Sequence, residues 1–209
     1  MERLKRTIHQ IISEEIKEKS RVLDLGCGDG VLLNYLITNK NVKGHGVDIS
    51  SKAIINCMEK GIPVIQVDLN DLPLDFPKNA FDYVILNQTI QEVIHPDKIL
   101  LEMLRVGKDA ILGFPNFGSF NVRLKFLFSG RMPITNELPY RWYNTPNIHL
   151  STLKDFMDFC SDNSIKISKQ IFLKRKKSNK AGKSSNYKTI KFLPNLRADL
   201  AVFVINKNS

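Results

Sequence analysis

Apolar positions along this chain fall into two rhythms that alternate through the first 116 residues. Leu4, Ile8, Ile11, Ile12 and Ile16 recur at helical spacing with charges between them, which predicts an amphipathic helix within residues 1–20. Val22, Leu23 and Leu25 form a short apolar run around one acid, Asp24. Val31, Leu32, Leu33, Leu36 and Ile37 then return to helical spacing. KGHGVDIS (43–50), IPVIQVDL (62–69), FDYVILNQT (81–89) and AILGFPN (110–116) read as further strands. HPDKILLEMLRVGKD reads as a helix entered at Pro96, with Ile99, Leu100, Met103 and Leu104 on one face. Such alternation predicts an α/β fold, a mostly parallel sheet with helices on both faces. Right-handed crossovers follow.

Residues 117–150 break the rhythm. They are rich in aromatic residues, prolines and bases and hold the only tryptophan, Trp142, beside Tyr140 and Tyr143. This insertion follows the fifth strand, where loops carry function on a rigid scaffold. It is expected to form a lid or pocket wall. Ser151 or Thr152 then caps a helix with Leu153, Phe156, Met157 and Cys160 on one face. IKISKQIFL (165–173) and DLAVFVIN (199–206) read as the last two strands. No internal repeat is visible, and one domain is expected over 1–209.

Charge is unevenly placed. Of the 31 Lys and Arg, eleven lie between Asn163 and Ala198, where there is no acid; the other 20 face all 21 Asp and Glu. The net charge of +10 therefore belongs to one segment. Residues 174–198 are expected to be a basic loop; its densest part, 174–188, is expected to be dispensable for folding because almost nothing in it is apolar. Tyr187 is the one aromatic in that dense stretch, too few for a stacking platform, so nucleic acid is not the expected partner. No window approaches the ~18 apolar residues of a membrane span. The N-terminus lacks the apolar centre of a signal peptide, so a cytoplasmic location is expected. Cys27, Cys57 and Cys160 include no C-x-x-C, and the four histidines show no ligand spacing; no metal site is expected.

The chemistry concentrates in RVLDLGCGDG, residues 21–30. Gly26, Gly28 and Gly30 stand at every second position between a strand and a helix. Glycine admits positive φ and lets a ligand lie on bare backbone. The helix start behind it favours a carboxylate or phosphate. The third glycine comes one position earlier than in the dinucleotide fingerprint, which disfavours an NAD module. Asp48, Asp68 and Asn87-Gln88 close the next three strands, at the carboxyl edge where open α/β sheets bind ligands. An acid about 20 residues past the glycine turn is placed to hydrogen-bond ribose hydroxyls.

Read as D-x-G-x-G-x-G, Asp24, Gly26, Gly28 and Gly30 resemble motif I of class I S-adenosylmethionine (SAM) methyltransferases. RVLDLGCGDG, GIPVIQVDL, FDYVILNQTIQEV, EMLRVGKDAILGFPNFG and GRMPITNELPYRWYNTPNIHLSTLKDF together resemble the methionine-biosynthesis family MetW, from about residue 20 onward. The 174–188 segment departs from that resemblance. It implies a Rossmann-like class I methyltransferase fold: a seven-stranded, mostly parallel sheet whose antiparallel last strand lies beside the fifth. It also implies SAM or S-adenosylhomocysteine as cofactor and a homoserine O-acyltransferase (MetX type) as partner. The implied cofactor pocket comprises Asp24, Gly26, Cys27, Gly28 and Gly30; Asp48 and Ile49; Asp68 and Leu69 facing adenine; and Asn87 with Gln88 near the methionine end.

No catalytic residue is assigned. His149, Glu92, Tyr140 and Tyr143 are candidate bases for a hydroxyl or carbon acid. N-Q-T-I stands after the fourth strand where amide and base N-methylation would show N-P-P-[FY]. Two functions are therefore carried forward: a SAM-binding partner of the acyltransferase, and a methyltransferase acting on a small molecule.

Overall fold

The computed structural model describes residues 7–176 and 186–207. Eight strands build one sheet: β1 (Arg21–Leu25), β2 (Lys43–Asp48), β3 (Val64–Gln66), β4 (Phe81–Asn87), β5 (Gly107–Pro115), β6 (Ile165–Arg175), β7 (Tyr187–Ile190) and β8 (Leu200–Lys207). The helices are α1 (Ile8–Glu14), α2 (Val31–Lys40), α3 (Ser51–Glu59), α4 (Pro96–Val106), α5 (Phe120–Ser129), α6 (Leu153–Asp162) and α7 (Pro194–Arg197).

Strand order is β3-β2-β1-β4-β5-β8-β6-β7. β1 to β5 pair in parallel, and β8 runs antiparallel between β5 and β6. Seven of the strands make the arrangement expected from the sequence; β7 adds a short edge beside β6. The order reverses between β1 and β4. At such a switch point the flanking connections leave to opposite faces and open a crevice at the carboxyl ends.

Strand residues alternate between two apolar layers. Leu23, Leu25, Val84, Leu86, Leu112 and Phe203 face α4 and α6. Val22, Tyr83, Ile85, Ile111 and Val202 face Ile11, Ile12 and Ile16 of the N-terminal region, and α2. Burial on both faces is why the central strands read as nearly unbroken apolar runs. Phe114, Phe156 and Phe203 pack as a three-ring cluster with centroids 4.7–5.7 Å apart. Thr152 caps α6 in a capping box with Asp155.

Three regions differ from the sequence reading. β3 ends at Gln66, so Asp68 lies beyond the strand, in a turn. β3 is an edge strand with a single partner, β2, and has little to hold its far end. Within 117–150 the chain forms α5, which no apolar period announces. Val122 is its only buried residue, while Phe120, Phe126, Leu127 and Phe128 are exposed. Apolar side chains on more than one face erase the stripe by which a helix is read.

The third difference concerns the basic segment 174–198, which is not loop throughout. Lys174 and Arg175 belong to β6, Tyr187 and Lys188 to β7, and 194–197 to α7. Lys174 Nζ lies 2.6 Å from Asp199 Oδ1, and Arg175 Nε lies 2.6 Å from Glu137 Oε1. The Tyr187 ring is buried. Composition hides this, because one aromatic residue and two ion-paired bases carry the packing. Residues 177–185 lie outside the described residues.

Deleting 174–188 is therefore expected to destabilise the protein, contrary to the reading from composition. Tyr187→Ala alone is expected to cost about 3 kcal/mol in chemical denaturation, in the range of buried aromatic truncations. An unchanged denaturation midpoint would show that the β6–β7 hairpin contributes nothing to stability.

Candidate functional site

The crevice is built around the turn joining β1 to α2. Val47 O accepts hydrogen bonds from Gly26 N (2.8 Å) and Cys27 N (3.0 Å), extending the β1–β2 pairing into the turn. The Asp48 carboxylate then bridges two loops. Its Oδ2 accepts from Gly28 N at 2.8 Å and its Oδ1 from Ser50 N at 2.9 Å. Charge-assisted bonds of this kind are stronger than neutral ones. They orient Asp48 while leaving lone pairs free for a ligand.

Two glycines of the turn are required for different reasons. Gly26 has φ +69°, and a Cβ there would stand 2.6 Å from Thr89 Oγ1. Gly28 has φ +56°, and a Cβ there would meet nothing within 4 Å. The backbone at Gly28 is thus bare and faces open space, as a ligand lying on the chain requires. Gly30 begins α2 in the left-handed region without a side-chain cap.

Acceptors dominate the surroundings. Asn87 ends β4, and its Oδ1 is buried without a hydrogen-bond partner among the described residues. Buried polar atoms are nearly always paired, so this one marks a place for a donor. Asp24 is 3% exposed. Burial, reinforced by the negative field of Asp48, pushes its carboxyl up to about 8. Glu92 is exposed, yet partial desolvation and the same field of Asp48 raise it above the usual carboxylate range. The set suits a ligand bringing hydroxyl donors and positive charge. SAM, with its ribose, ammonium and sulfonium, is such a ligand.

The remaining candidates are placed as follows. Ile49 is exposed beside Asp48, and Leu69 is buried next to Asp68. Asp68 Oδ1 accepts from Asn70 N and Nδ2. Gln88 has φ +59°, and its N–H donates to Gly113 O at 2.6 Å. Cys27 and Cys57 are buried free thiols with sulfurs 3.9 Å apart, and burial pushes Cys27 well above the usual thiol range.

Glu92 lies in a turn ahead of α4, which begins only at Pro96. His149 is exposed, with Nε2 3.2 Å from Ile94 O. Tyr140 and Tyr143 are also exposed, and no hydrogen bond joins them to the crevice among the described residues.

Sequence reasoning passed over Thr89 and Gln91. Thr89 fills the space beside Gly26. Gln91 O accepts from Ile148 N (2.7 Å) and His149 N (3.0 Å), and its Nε2 donates to Gln88 O (2.7 Å). Gln91 thus fastens the end of the insertion to the loop after β4. The motif FDYVILNQTIQEV contains both residues, but spacing gave no sign of these long-range contacts.

This topology and glycine turn define a Rossmann-like fold of the class I methyltransferase type. Solved structures of that class superpose on the chain. One is a SAM-dependent methyltransferase from Thermotoga maritima, described as a possible histamine N-methyltransferase (TM-score 0.65, 18% identity, 94% of this chain and 86% of that one). Another is a SAM-dependent methyltransferase from Aquifex aeolicus (TM-score 0.60, 16% identity, 95% and 89%). The family model for methionine biosynthesis protein MetW matches residues 6–205, and the chain belongs to that family. A bifunctional methionine biosynthesis protein MetXA/MetW from Rhodopirellula baltica is 34% identical over 95% of this chain. The match spans about one third of that relative's length (32%).

Asp24 makes stability depend on pH. Its folded pKa of about 8 lies above the ordinary carboxyl value of 3.8, so between those limits the folded state holds a proton that the unfolded chain has lost. This contribution is complete below about pH 4, falls as pH rises towards 8, and levels off above. The slope is at most about 1.4 kcal/mol per pH unit. Thermal melts of the ligand-free protein from pH 5 to 8 are expected to show wild type losing stability relative to Asp24→Asn. Parallel curves would show that Asp24 titrates normally.

Proposed function

We propose that the chain binds SAM or S-adenosylhomocysteine in this crevice and serves as an accessory subunit of a MetX-type homoserine O-acyltransferase. The Rhodopirellula relative carries the reading, because it joins MetXA and MetW in one polypeptide. Fusion gives two units a high effective concentration, replacing an association between separate chains. The 117–150 insertion has the chemistry for that association. Leu127, Phe128, Trp142 and Tyr143 are each more than 60% exposed, and concentrated apolar exposure marks interaction surfaces. Gln91 connects this insertion to the crevice loop, so a ligand there has a physical route to the docking surface.

In the crevice, Asp48 holds ribose hydroxyls and Asn87 Oδ1 accepts from the methionine end. Asp68 and Leu69 flank the adenine. The ligand lies downstream of methionine synthesis, and feedback therefore favours weakened or inhibited partnership when it is bound. By linkage, the partner then changes ligand affinity by the same factor. The alternative, methyl transfer to a small molecule, asks for a base beside a closed acceptor cavity. His149, Tyr140 and Glu92 are all exposed, and this favours the accessory role.

Two measurements test the proposal. Calorimetry is expected to show SAM binding that Asp48→Ala weakens by roughly 1–3 kcal/mol, the cost of lost hydrogen bonds to ribose. Pull-down of the homoserine acyltransferase is expected to succeed with wild type and to fall at least tenfold with Trp142→Ala, since buried aromatics dominate interface energies. Capture is also expected to change with saturating SAM. Absence of capture by wild type, together with robust methylation of a small molecule, would replace this reading with the enzymatic one.

A further inference from the structure

A second concavity, of about 400 Å³, lies beyond the crevice, between the start of α5, the β6–β7 hairpin and α7. Its size is that of a small-molecule site. Phe120, Ile190 and Leu196 supply apolar wall, and Lys174, Lys188 and Arg197 supply charge. Lys174 is neutralised by Asp199, which also accepts from Arg175 N. The neighbouring acid Glu137 is occupied by Arg175. Lys188 and Arg197 have no acidic partner among the described residues. The cleft thus holds two uncompensated positive charges against an apolar surface. The ten-residue helix α5 also begins at its wall, and Ser119 makes no capping hydrogen bond there.

We propose that this cleft is a second ligand site, for a small organic phosphate whose phosphoryl group rests on Lys188 and Arg197 and whose apolar or aromatic body rests on Phe120, Ile190 and Leu196. A phosphoryl dianion matches the two free charges. Arg offers it a planar donor fork and Lys a point charge. The start of α5 adds a partial positive charge. A carboxylate or phosphate without an apolar body leaves the greasy wall wet, which is why the ligand is organic. The site shares no residue with the SAM crevice and does not rest on the accessory role.

The test is calorimetry of the full chain at about 0.15 M salt, where interactions between exposed charges are screened beyond roughly 8 Å. The probes are phenyl phosphate, inorganic phosphate and phenol. Phenyl phosphate is expected to bind one to one, at least tenfold tighter than inorganic phosphate, and phenol to give no heat. Lys188→Gln and Arg197→Gln are each expected to weaken phenyl phosphate at least tenfold while leaving thermal melting unchanged. Both side chains are exposed, so these variants keep the fold. Equal binding of the two phosphates would reduce the cleft to a basic surface. Full affinity in both variants would assign binding to other lysines. Absence of phenyl phosphate binding would remove the site.

Discussion

The Asp48 carboxylate joins the two loops that lie beyond the paired ends of β1 and β2. β1 and β2 are parallel neighbours, but their pairing ends at Leu25 and Val47. Beyond that point the chain turns sharply into α2 on one side and α3 on the other. Val47 O takes two N–H groups of the glycine turn, and Asp48 takes one from Gly28 and one from Ser50. The bare backbone at Gly28 is thereby fixed opposite the acid that would hold a ligand's hydroxyls. Preorganisation of this kind spares a ligand the entropy of ordering the loop.

The cost of that arrangement is electrostatic. Asp24, Asp48 and Glu92 share one small region, and desolvation, reinforced by the field of Asp48, raises the other two. A crevice with excess acceptors and an orphaned Asn87 oxygen is a site shaped for positive charge and donors.

Burial is also divided unequally. The central strands are covered on both faces, whereas α5 contributes Val122 alone to the interior. Aromatic side chains that a folded core would absorb remain outside on the insertion. Gln91 pins the insertion's end to the loop after β4.

The sequence by itself determined the alternating fold, the glycine turn and the acids that close β2 and follow β3. These are local signals: strand and helix periods differ, and positive φ selects glycine. It also marked the insertion and the basic segment by composition. Only the tertiary structure decided the rest. It ended β3 before Asp68, because an edge strand is held from one side. It made a helix of 120–129, whose exposed apolar residues conceal the period. It placed both ends of 174–188 in paired strands, β6 and β7, and gave Lys174 and Arg175 partners in Asp199 and Glu137, 25 and 38 residues away. It also joined Gln91 to His149 and gathered Lys188, Arg197 and Phe120 around one cleft. Such contacts depend on how distant segments meet, and no local pattern encodes them.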